Sequence, residues 1–189
     1  MTAPSADLPA DARASRTREA LFRAFFGLVL QQRYDAIRLG EILARAGVAR
    51  STFYAHFPNK DALLVESLRH PFAVLADLIV GPEPPPRLAA VLAHFADNRT
   101  LALALLEGAK RRHAERALVG LVEQRWNSSG LSRGCVLAPA LACRQIAHAI
   151  LAPLQVWLRL PAGVDAETLA HGLHRSVRGL VAGLEDTRL

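Results

Sequence analysis

Apolar positions along the chain recur at spacings of three and four and nowhere settle into strict alternation, which predicts helices and no sheet. Leu21, Phe25, Leu28 and Val29, widened by Phe22 and Phe26, form the first stripe, in a helix expected over 15–32 with Ser15 as its N-cap. Tyr34-Asp35-Ala36 interrupts the pattern. Leu39, Ile42, Leu43 and Ala46 carry a second helix over 39–46. Gly47 ends it, because glycine takes the left-handed conformation of a helix end without steric cost. Val48 turns inward, and a short helix over 49–56 follows, with Phe53 and Phe57 on one face as i,i+4 neighbours. Pro58 stops that helix. Asn59 is the natural N-cap of the next, over 60–79, whose stripe is Leu63, Leu64, Leu68, Phe72 and Leu75, with Pro71 as a point of disturbance.

The run Gly81-Pro82-Glu83-Pro84-Pro85-Pro86 cannot be helical and divides the chain. Beyond it the pattern predicts helices over 87–97, 99–110, 114–127, 139–160 and 165–184, with a loop at 127–134 and Asp165 as N-cap of the last. The helix over 139–160 is apolar nearly all round, and the last repeats Leu169, Leu173, Val177, Leu180 and Leu184. Ala142, Ala147, Ala149, Gly172, Gly179 and Gly183 permit close helix approach. A helix this apolar needs more cover than one copy supplies, so these two helices are expected to pair with those of a second copy in a four-helix interface. The expected organisation is a flexible arm over 1–14, a three-helix unit over 15–58, a connecting helix over 59–80 and a helical domain over 81–189.

Composition is that of a globular chain, 51% hydrophobic and 21% charged, with a formal charge of +6. The excess gathers at the front. Residues 1–60 carry nine Lys or Arg against five Asp or Glu, and residues 61–189 fourteen against twelve. A basic N-terminal part favours a nucleic acid partner. The longest apolar stretch, 145–158, falls short of the roughly 20 residues that span a bilayer, and the N-terminus lacks the apolar segment of a signal peptide. No membrane partner and a cytoplasmic location are expected.

Enzyme chemistry finds no foothold. Cys135 and Cys143 lack metal-ligand spacing and are expected as reduced thiols. His171 and His174, with Glu167 one turn earlier, are too few for a metal site, and His113-Ala114-Glu115-Arg116 lacks the second histidine of a metalloprotease helix. Lys110-Arg111-Arg112-His113 reads as a helix C-terminus complementing its dipole. Neither a phosphate-cradling glycine loop nor a nucleophile elbow occurs. No catalytic residue, cofactor or metal is expected.

The helix over 49–56 carries the chemistry. Opposite Phe53 and Phe57 lie Ser51, Thr52 and Ala55, flanked by Tyr54 and His56. Small residues at the centre of the exposed face let a helix sit deep in a major groove, while longer donors at its flanks reach the phosphates on either wall. Arg50 at the helix start reaches base edges or phosphate. Arg16 and Arg18, with Arg13, are placed to contact phosphate from the first helix. Lys60 opposes the dipole of its own helix, which makes sense if it faces a phosphate.

With those residues in view, the stretch ILARAGVARSTFYAHFPNKDALL (Ile42–Leu64) resembles the TetR family of transcriptional regulators. The resemblance covers Arg16 to about Leu68. It implies an all-α fold with an N-terminal helix-turn-helix DNA-binding domain and a C-terminal ligand-binding and dimerisation domain. It implies DNA contacts by Thr52, Tyr54, His56 and Lys60, and sequence reading by Arg50 and Ser51. Where the family caps its second and third helices with Ser or Thr, this chain has Arg38 and Ala49, and Arg38 is assigned to direct phosphate contact instead. The expected function is a repressor, a homodimer on a palindromic operator, released by a small molecule. Phe72, Phe95, Leu103, Leu106, Trp126, Ile150 and Trp157 are the candidate walls of its pocket. That apolar lining, with His94 and His148 nearby, fits an apolar or aromatic effector. Two alternatives stand beside this reading, a ligandless structural DNA binder and an all-helical enzyme or metal-binding protein with a vestigial DNA-binding domain.

Overall fold

The structure, a computed structural model, describes residues 10–29, 31–32, 34–107, 111–131, 135–160 and 163–185. They form α1 (Ala10–Val29), a 3-10 turn (Tyr34–Ala36), α2 (Leu39–Ala46), α3 (Arg50–His56) and α4 (Lys60–Ala76), which runs into a second 3-10 turn (Asp77–Ile79). Then come α5 (Leu88–Asp97), α6 (Arg99–Leu106), α7 (Arg111–Ser129), α8 (Pro139–Arg159) and α9 (Ala166–Leu184). Among the described residues there is no strand, and one isolated bridge joins Cys135 to Glu185.

The chain divides into two compact units between Leu63 and Leu64, inside α4. In the first, α1 packs on α2 and α2 on α3. Leu21, Phe25, Tyr34, Ile42, Phe53, Phe57 and Leu63 form its core. In the second, α7 packs on α8, α5 and α8 both pack on α9, and α6 lies against α8. Trp126, Phe72, Leu88, Ile146, Ile150 and Val177 are sealed in its interior.

Several expectations shift. The arm expected over 1–14 is helical from Ala10, and residues 1–9 lie outside the described residues. Ser15 is therefore inside α1 and not its N-cap, and its hydroxyl bonds the Glu19 carboxylate one turn on (3.4 Å). The reason is composition: Ala10, Ala12 and Ala14 propagate a helix well, so a capping residue downstream does not start one. Pro71 does not break α4, which runs through it. The basic run that was expected to end a helix begins one instead. Arg111, Arg112 and His113 form the first turn of α7, and Lys110 lies outside the described residues. The loop expected at 127–134 begins later, because Asn127–Ser129 still belong to α7. Asp165 is the N-cap of α9, its carboxylate accepting from the Thr168 N–H (2.7 Å), and this bond holds its pKa below the ordinary carboxylate value. The buried stripe of α9 runs through Ala170, Leu173, His174, Val177, Val181 and Leu184, leaving Leu169 and Leu180 at its margins.

Candidate nucleic-acid interface

The α2–α3 turn is built by backbone bonds around one glycine. Gly47 sits in the left-handed region (φ 65°, ψ 34°). Its N–H donates to Ala44 O (3.4 Å), and the Val48 N–H reaches back to Leu43 O (3.1 Å). These two bonds make the Schellman closure of α2.

Beneath α3, Phe53 and Phe57 are buried, and Phe22 of α1 tilts against Phe57 at 5.9 Å between centroids. Burying Phe53 on the helix and Phe57 just past its end is what holds in place a seven-residue helix that is too short to persist alone. With that face fixed, Arg50, Ser51, Thr52, Tyr54 and Ala55 are all exposed, and Tyr54 keeps 51% of its surface. Tyr54 stands edge-on to Phe53 (centroids 5.5 Å, interplanar 79°), so its ring is braced while half of the residue stays exposed. His56 is half-buried and packs on Phe57 (6.3 Å).

The outer members are less uniform. Arg16 and Arg38 are exposed. Arg18 is half-buried, its guanidinium lying over the Phe57 ring at 5.3 Å, so it joins α1 to the base of α3. Lys60 differs most from expectation. Its ammonium turns inward, donating to the carbonyls of Tyr34 (2.8 Å) and Ile37 (2.9 Å) and lying 4.1 Å from the Tyr34 ring centroid. The Tyr34 hydroxyl hydrogen-bonds the Asp61 carboxylate, and burial followed by that bond pushes the tyrosine pKa far up. Lys60 and Asp61 thus clasp the start of α4 to the turn that precedes α2. Two of the three ammonium donors are spent on the fold.

The missing caps have different outcomes. Arg38 has no acceptor to offer, but Glu41 reaches back to the Arg38 N–H (3.1 Å), and the same carboxylate oxygen accepts from Gln32 Nε2 (2.9 Å). That is half of a capping box, legible beforehand from a glutamate three residues after the N-cap. Ala49 makes no side-chain cap bond at all. Asn59 caps α4, its Oδ1 accepting from the Ala62 N–H (2.8 Å). Two features went unread in the sequence. Arg45 donates to Gln31 (3.1 Å), and its guanidinium lies where a Cβ on Gly27 would meet it at 2.9 Å, so the bare α1 backbone seats the arginine of α2. No spacing rule announces such a pair.

The seven residues expected to wall a pocket belong to the second unit. Phe72, Trp126 and Ile150 have no exposed surface, Phe95 and Leu106 almost none, and all five serve as core. Leu103 is half-buried, and Trp157 caps the end of α8 by donating Nε1–H to Val164 O (2.7 Å). None of the seven lines the surface grooves along α7. The buried Trp126 Nε1 has no hydrogen-bond partner among the described residues. Cys143 is buried and its thiol is pushed up to about 11, by burial first and then by Glu123, which leaves it unreactive at neutral pH. His174 is buried, whereas His171 is exposed at 3.9 Å from Glu167, and no cluster of three metal-ligating side chains occurs among the described residues. No helix among them is long and apolar enough to cross a membrane.

Residues 28–66 match the family model described as bacterial regulatory proteins, tetR family. An uncharacterized HTH-type transcriptional regulator, YxbF of Bacillus subtilis, is 37% identical over 68 residues, covering 35% of this chain and 18% of that protein. The chain therefore spans about a fifth of the curated relative it matches. Among solved structures, a TetR-family regulator of Streptomyces coelicolor superposes with a TM-score of 0.62 at 20% identity, over 94% of this chain and 99% of the other. NalD, the secondary repressor of the MexAB-OprM multidrug efflux pump in Pseudomonas aeruginosa, does so with a TM-score of 0.51 at 23% identity, over 94% and 100%. At these identities the structures establish a shared all-helical fold. The helix-turn-helix segment over residues 28–66 is thus similar to that of the tetR family of bacterial regulatory proteins, and the chain shares an all-helical fold with the solved regulators.

Proposed function

We propose that the chain is a sequence-specific DNA-binding transcriptional regulator. The observation that carries this reading is α3: buried Phe53 and Phe57 anchor it, and its outward face offers Arg50, Ser51, Thr52 and Tyr54 with nothing packed over them within its own unit. A short rigid helix with small residues at its centre fits the major groove, and Tyr54, Arg16 and Arg38 are placed to reach phosphate. His56 contributes at the margin. Lys60 acts mainly by bracing the start of α4.

The finer reading is a homodimer that represses transcription and is released by a small molecule. Leu141, Val156 and Leu160 on and just after α8 are more than half exposed, and a second copy pairing through α8 and α9 would cover them. Two α3 helices in such a dimer would read half-sites roughly 34–36 Å apart on a palindromic operator. The five core members of the expected pocket wall require the second unit to open before an apolar effector enters there.

Fluorescence anisotropy on DNA from upstream of the protein's own gene, together with selection from random duplexes, tests the reading. Specific binding is expected in at least one of the two, weakened by Tyr54→Ala. Absence of sequence-specific binding in both would refute it.

A further inference from the structure

The outer surface of the second unit carries a groove of about 560 Å³ between α7 and α8. Three arginines line it, Arg112 and Arg116 from α7 and Arg144 from α8, with Glu115, Glu123 and the bare backbone of Gly120. All three arginines are exposed at its rim. Arg112 and Arg144 meet no carboxylate among the described residues, and Arg116 turns its Nε to the carbonyl of Arg112 (3.2 Å). Glu115, the carboxylate nearest Arg116 in sequence, is already engaged by His148 at 2.9 Å.

The pairing across the groove fixes its layout. Glu115 meets His148, and Glu123 acts on the thiol of Cys143, so the two helices run antiparallel. Arg144, one turn before His148, then lies opposite the turn of α7 that follows Arg116. At 1.5 Å per residue the backbone positions that carry the three arginines span about 10 Å along the groove. Planar, paired donors at that spacing suit an anion with two charged groups better than a lone ion. The first turn of α7 sharpens the case, because Arg112 stands there with no acidic residue beside it, at the end where the helix dipole is already positive.

We propose that the α7–α8 groove is a binding site for a small anion bearing two carboxylate or phosphate groups, held by Arg112, Arg116 and Arg144. This site stands apart from the DNA reading and is tested without DNA. Isothermal titration of the full chain at low salt, with inorganic pyrophosphate in one arm and citrate in the other, separates the two anion chemistries. At least one probe is expected to bind with a submillimolar Kd. Arg116→Gln and Arg144→Gln should each weaken it about tenfold or more, since each removes charge-assisted hydrogen bonds. Arg111→Gln, outside the groove lining, should leave it unchanged. The arginines are at the surface, so circular dichroism should report an unaltered fold. Failure of both probes to bind overturns the proposal. So does equal weakening by Arg111→Gln, or undiminished binding to the chain with all three groove arginines replaced by glutamine.

Discussion

Replacing Lys60 with methionine separates a lysine that braces the fold from one that grips phosphate. Methionine keeps most of the apolar stem and removes the ammonium. Two charge-assisted bonds to Tyr34 O and Ile37 O are lost, each worth at most about 1.5–3 kcal/mol. The site is half-buried, so water replaces part of that. Tyr34 O also keeps its bond from the Ile37 N–H (3.1 Å). The net cost should be about 2 kcal/mol, read as a lower denaturation midpoint at unchanged slope. The decisive assay is DNA affinity against salt. A phosphate contact adds about 0.9 to the slope of log K on log salt concentration, because one counterion is released per neutralised phosphate. If Lys60 braces α4, Lys60→Met weakens binding but leaves the slope unchanged. A slope that falls by about 0.9 while stability is preserved would refute the bracing role and restore the phosphate contact.

Gly47→Ala forces a Cβ into a left-handed position and should cost about 1–2 kcal/mol in thermal unfolding, with Gly47→Asn costing less. Ala49→Ser supplies the cap that α3 lacks and should add about 1 kcal/mol to stability; no gain in Tm would show that the α3 N-terminus is satisfied in another way. Asp165→Ala should lower stability at neutral pH, where the carboxylate accepts from Thr168. The folded pKa lies below the ordinary 3.8, so this contribution is present above that value and fades as pH falls through the folded pKa. Unfolding curves of wild type and Asp165→Ala should therefore converge in strong acid; a constant gap would contradict the assignment.

The pattern of the sequence located most helices because their signals are local. Gly47, Asn59 and Asp165 each act within four residues, and Phe53 with Phe57 already defines which side of α3 must be covered. The fold departs from the pattern where a local signal has two meanings. Ser15 caps helices and is also tolerated inside them, and alanine upstream decided between the two. A basic run suits a helix C-terminus, yet Arg111 and Arg112 open α7 all the same.

The bonds that cross the chain were not readable from it. Lys60 meets Tyr34 across 26 residues, Arg45 meets Gln31 across 14, and Glu115 meets His148 across 33. A side chain's chemistry says what it can bond to, whereas the path of the backbone decides what it reaches. The order of the helices, the turn at Gly47 and the buried face of α3 were thus set by sequence alone, through backbone preference and apolar period. The inward turn of Lys60, the sealing of Phe72 and Trp126 in the core and the gathering of three arginines beside α8 were decided by packing. Each depends on groups that are distant in the chain and become neighbours once the helices pack.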